Sequence, residues 1–163
     1  MAAILFGSIG TIVETSELQR EAFNRAFEDH DLDWNWSRTE YRELLTNSGG
    51  ADRIETYAKI RNQKVDARAI HLSKSERFQQ MLRNTPLRPR EGVSDVIRSS
   101  KTNGFKVAFV TTTLRANLDA LFESVRSHIL KSDFDLVTDA SLIRCPKPAG
   151  DVYDYALQSL AED

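Results

Sequence analysis

One cysteine, Cys145, stands in 163 residues, so the chain cannot close a disulfide within itself. The scattered His30, His71 and His128 give no ligand set from which a zinc site could be made with it. Cys145 precedes Pro146 and has no histidine near it in sequence, which reads as a loop residue rather than a nucleophile. No apolar run approaches the roughly 20 residues that a membrane-spanning helix needs. The N-terminal one ends at Phe6, lacks a basic leader and is too short for a secretory signal, so it reads as a buried strand of a cytoplasmic protein. Neither sign of charge is in excess: the formal net charge is −2 and the sequence pI about 6.0. That removes the electrostatic case for a nucleic-acid or membrane partner. Internal repeats and low-complexity tracts are absent as well.

What is present suits one good core with room for a small second lobe, at 40% apolar and 28% charged residues. Leu18, Ala22, Phe23, Ala26 and Phe27 predict a helix over 16–28 with one apolar face. From Trp34 to about Arg83 there is no strand pattern. Tyr41, Leu44 and Leu45, then stretches at 54–60 and 67–82, predict a helical lobe into which Trp34 and Trp36 pack. Pro86 and Pro89 mark the return. A helix over 91–101 follows, with Val93, Val96 and Ile97 on one face and a stop at Asn103-Gly104. Residues 106–110 form the continuous apolar run of a parallel strand. A further helix around Leu118–Val125, a strand over 134–138 and a helix over 151–160 complete a βα series. Alternation of this kind predicts an α/β fold whose ligand site lies beyond the strand C-termini.

The densest signal is Ile4-Leu5-Phe6-Gly7-Ser8-Ile9-Gly10-Thr11, an apolar strand ending in a phosphate-sized turn. Val110-Thr111-Thr112 brings hydroxyls to another strand end, and Lys147-Pro148-Ala149-Gly150-Asp151-Val152-Tyr153 places a lysine before a helix start. In the helical lobe, Tyr41-x-x-Leu44-Leu45 precedes Ser48-Gly49-Gly50-Ala51-Asp52-Arg53. Taken in chain order, the four segments resemble the haloacid dehalogenase superfamily, and within it the CbbY-like and β-phosphoglucomutase-like subgroup. The resemblance implies a Rossmann-like parallel sheet core over residues 1–15 and 86–163, with an inserted helical cap over 16–85. It also implies roles. Thr111 and Thr112, Lys147, and the Gly10-Thr11 turn would hold phosphate, while Gly49, Gly50 and Arg53 would grip a substrate's distal phosphate from the cap.

The departures from that family matter as much. Its two catalytic aspartates fall on Gly7 and Ile9, which offer no lone pair, proton or metal ligand. Glu14 sits where the family already has an orienting acid. The helix over 151–160 runs into Ala161-Glu162-Asp163, read as a frayed tail rather than the family's last acidic motif. The magnesium site is therefore expected to be lost, with no cofactor in its place. The expected function is a module of phosphatase type without phosphatase activity that binds phosphate, a sugar phosphate or a protein. The alternative is an active CbbY-like sugar-phosphate phosphatase in altered or truncated form. Lys147, Thr111 and Arg53 also have ordinary structural readings, as packing and backbone-satisfying groups. Finally, with the family's strand order the first strand becomes a sheet edge, so a homo-oligomer or a covering protein partner is expected.

Overall fold

The computed structural model describes residues 2–46 and 49–162; Ser48 of the Gly-Gly run and Asp163 of the tail lie outside the described residues. In chain order the elements are β1 (Ala3–Phe6), α1 (Ser16–Asp29), α2 (Arg38–Leu44), α3 (Gly50–Ile60), α4 (Ala67–Asn84), α5 (Val93–Thr102), β2 (Lys106–Phe109), α6 (Arg115–Val125), β3 (Leu136–Val137) and α7 (Asp151–Glu162). The chain folds as two compact units, Met1–Thr15 with Leu82–Asp163, and Ser16–Met81. Among the described residues no helix is long and apolar enough to cross a membrane.

The first unit is built on a parallel sheet in the order β1-β2-β3, with Ala3 opposite Lys106 and Phe6 opposite Phe109. The middle strand is buried on both faces, as its unbroken apolar run requires. Ala108 and Val110 point to one face and meet Val152, Ala156 and Leu160 of α7. Phe109 points to the other, where its ring packs edge-on to Phe122 at 5.5 Å and against Phe134 at 5.6 Å. Among the described residues, the outer edge of β1 has no strand partner.

Three expectations change here. Only Leu136–Val137 of the strand predicted over 134–138 pairs with β2. Backbone bonds continue past it, from the Asp135 N–H to the Val107 carbonyl and from the Thr138 N–H to the Phe109 carbonyl, and side chains supply the rest: Asp135 Oδ2 accepts from the Val107 N–H at 2.7 Å, and the Thr138 hydroxyl bonds both backbone groups of Thr111. In α5 the buried positions are Ile97 and Ser100, whereas Val96 is 44% exposed, because the apolar stripe is narrower than its valines suggest. Residues 161–162 are not frayed, since α7 continues through Glu162. The Asn103-Gly104 stop is as expected, with Gly104 in the left-handed region at φ 77°.

The second unit is a helical lobe around aromatic rings. Trp36 is fully buried, 4.7 Å from the Phe27 ring and 4.9 Å from that of Phe23, and Trp34 and Tyr41 close the cluster with Ile54, Ala58 and Ile70. The tryptophans are therefore packing residues, as the sequence suggests. α2 starts on a reciprocal capping box: Ser37 Oγ accepts from the Glu40 N–H while Glu40 accepts from the Ser37 N–H.

Candidate functional site

In the first unit the predicted residues converge where the strands end. The Val110 N–H donates to the Phe6 carbonyl at 2.7 Å, so the chain leaves β1 at Gly7 alongside Thr111. Thr111 is buried. Its N–H donates to Thr138 Oγ1 at 2.8 Å, that hydroxyl donates back to the Thr111 carbonyl at 2.7 Å, and Thr111 Oγ1 accepts from the Thr113 N–H at 3.3 Å. With one lone pair of Oγ1 occupied this way, the hydroxyl proton is left to donate to an incoming oxygen. Lys147 Nζ donates to the Val110 carbonyl at 2.7 Å and lies 5.1 Å from the Tyr153 ring centroid. The half-buried ammonium is thus fixed one residue from Thr111 and keeps further N–H donors. Thr112, the residue after Thr111, is half-buried.

The Gly10-Thr11 turn does something other than expected. The Gly10 N–H donates to the Val13 carbonyl at 2.8 Å, and the N–H groups of Thr11 and Ile12 both donate to the Ser8 carbonyl at 3.1 Å. These amides close the turn and are not turned out toward an anion, because a tight loop after a strand must first satisfy its own backbone. Gly10 takes φ 72°, which suits glycine. Gly7 and Ile9 bring no chemistry. A Cβ at Gly7 would meet only the Thr11 side chain, with Oγ1 at 3.1 Å, and Ile9 is 51% exposed. Asp139, the only buried carboxylate among the described residues, is engaged by the Ser141 N–H and hydroxyl and by Arg115 at 3.2 Å. Bonds from Ser141 hold its carboxyl below the usual range, with Arg115 adding to that effect. No cluster of three or more His, Cys, Asp or Glu side chains able to hold a metal ion occurs among the described residues.

In the second unit Gly49 caps α3 at φ 87° and Gly50 opens it. The His71 ring lies against Gly50: a Cβ there would come within 2.3 Å of Nε2. Arg53 is buried, donates through Nε to the Leu44 carbonyl at 2.8 Å, and sits 5.8 Å from the ring centres of both Phe23 and Tyr41. Burial lowers its pKa from the ordinary arginine value.

Sequence reasoning missed the centre of this cluster, Lys74. It is 5% exposed, it donates through Nζ to the Gln19 side-chain oxygen, and it lies over the rings of Phe23 and Phe78. Burial, with the Arg53 charge adding to it, brings the ammonium pKa down to about 7. His71 is brought down to about 4 by burial and by the Lys74 and Arg53 charges. The signal was in the sequence: Ile70, Lys74, Phe78 and Leu82 recur every four residues, which puts a lysine on the apolar face of its helix.

Residues 4–162 match the haloacid dehalogenase-like hydrolase family. The chain is 39% identical to Protein CbbY of Cereibacter sphaeroides over 163 residues, covering 97% of this chain and 70% of that protein. Crystal structures of Rhodobacter sphaeroides CbbY superpose with a TM-score of 0.86 at 37% identity, over 99% of this chain and 73% of theirs. One holds phosphate, and another, of a mutant, holds xylulose-(1,5)bisphosphate.

Proposed function

Since this chain belongs to the haloacid dehalogenase-like hydrolases, in their CbbY-like subgroup, we propose that it is an altered form of a sugar-phosphate phosphatase whose site takes a phosphorylated sugar. The observation that carries the substrate class is Lys74, a buried ammonium whose only hydrogen-bond partner among the described residues is the neutral Gln19 amide. A buried cation without a counter-charge is costly, and an incoming anion relieves that cost. Within the first unit, Lys147 and the Thr111 hydroxyl form a donor set of their own, suited to a transferring phosphoryl group. A phosphate-bearing relative of this identity supports the same reading.

Lys147 would balance the charge of the bound phosphoryl group, and Thr111 would orient one of its oxygens. Nucleophilic attack and proton transfer have no side chain at positions 7 and 9, and we propose that magnesium has none there either. Those two residues favour a second reading, in which the same site binds a sugar phosphate without turning it over. Phosphate release from a sugar-phosphate panel that includes xylulose 1,5-bisphosphate separates the two, measured with and without magnesium. The proteins to compare are the wild type, Lys147→Ala and the Gly7→Asp/Ile9→Asp double variant. Expected is ligand-induced thermal stabilisation of the wild type that Lys147→Ala loses, with turnover gained in the double variant. Wild-type turnover abolished by Lys147→Ala would select the phosphatase reading outright. Absence of stabilisation in every protein would refute both.

A further inference from the structure

At the end of the first unit where the strands begin, away from Thr111, a cleft of about 460 Å³ opens between the C-terminal half of α5 and the segment after α6. That volume lies within the roughly 300–1,000 Å³ range of small-molecule sites. Its floor is apolar, made by the buried Ile97 and Ile129. Its walls carry Arg98, Lys101, Arg126 and His128, and Asp133 is the one carboxylate among the lining residues. Asp133 Oδ2 accepts from the Leu130 N–H at 2.7 Å to cap the turn leading into β3, and its single negative charge is outnumbered by Arg98, Lys101 and Arg126.

The cations differ in how far they are committed. Lys101 Nζ donates to the Asp133 carbonyl at 3.2 Å and stands 3.8 Å from Asp135. Arg98 pairs with Asp95 at 3.2 Å, with both side chains more than three-quarters exposed, and such pairs exchange readily for a better partner. The Arg126 and His128 side chains have no hydrogen bond or ion pair among the described residues. Two guanidinium forks lining one cleft with an apolar floor match a tetrahedral anion joined to an apolar body.

We propose that this cleft is a second binding site, specific for a small organic phosphate that sets its phosphate against Arg98 and Arg126 and its apolar part on Ile97 and Ile129. The site is separate from the one proposed for the sugar phosphate, and neither reading depends on the other.

Nuclear magnetic resonance of the labelled full chain tests it, with phenyl phosphate and inorganic phosphate as probes. Expected are saturable shifts at the amides of Arg98, Lys101, Ser127 and His128, with phenyl phosphate the tighter ligand. Arg126→Gln should weaken phenyl phosphate about tenfold and Arg98→Gln/Arg126→Gln further, since a charge-assisted hydrogen bond is worth at least about 1.4 kcal/mol. Lys147→Ala should leave this titration unchanged. Both arginines are exposed, so dispersed spectra of the variants will confirm that they fold. Shifts confined to the surroundings of Thr111 and Lys147, equal affinity in the double arginine variant, or no preference for phenyl phosphate would each overturn the proposal.

Discussion

Replacing Lys74 with methionine tests the physical core of the functional reading. In the unfolded chain the ammonium titrates near its ordinary 10.5, whereas in the folded protein burial has brought it down to about 7. Above 10.5 the group is neutral in both states and costs nothing. Between 10.5 and 7 the unfolded state holds a proton that the folded state lacks, so stability rises with pH by about 1.4 kcal/mol per pH unit. Below 7 the penalty levels off at roughly 4–5 kcal/mol. Lys74→Met keeps the stem packed against Phe23 and Phe78 and removes the titration. It also leaves the Gln19 oxygen without its donor, which costs about 1 kcal/mol or more. At pH 7 the variant should therefore be more stable than the wild type by roughly 2–4 kcal/mol. Arg53 and His71 are its charged or titratable neighbours, and His71, brought down to about 4, contributes only below its ordinary 6.5. Urea denaturation from pH 7 to 9.5 should show the gap between the two proteins closing by about 1.4 kcal/mol per pH unit. Adding a sugar phosphate should flatten the wild-type dependence, because the anion restores the charged form. Parallel curves, or a variant less stable than the wild type at pH 7, would refute the argument that Lys74 is a buried cation awaiting a counter-charge.

Gly7→Asp/Ile9→Asp should unfold within a few degrees of the wild type in calorimetry, because only the Thr11 side chain meets a Cβ at Gly7 and Ile9 is half-exposed. Gly50→Ala should lose about 1–3 kcal/mol in chemical denaturation through overlap with His71; adding His71→Ala should recover most of that loss, and no recovery would place the strain elsewhere. Thr138→Val removes both buried bonds to the Thr111 backbone and should cost about 2–4 kcal/mol, read by the same method. It should also weaken phosphate-induced stabilisation by releasing Thr111.

The sequence by itself determined the order and kind of nearly every element, because those elements follow from local periodicity. The apolar run at 106–110 had to be a doubly buried strand, and 16–28 had to be an amphipathic helix. It also determined the family, through four ordered segments, and the absence of carboxylates at positions 7 and 9, which is a matter of covalent identity. Tertiary structure decided whatever depended on which partner a polar group finds. Asp135 and Thr138 have strand-like neighbours and their N–H groups still bond β2, yet their side chains take partner groups that a longer ladder would use, and β3 is two residues long. The amides of Gly10 and Thr11 lie in a phosphate-like loop, yet they close on Val13 and Ser8. Lys74 lies 55 residues from Gln19, and its counter-charge could not be judged until α1 and α4 were brought together. A motif records which groups a chain owns, while packing sets which of them are already satisfied and which remain for a ligand.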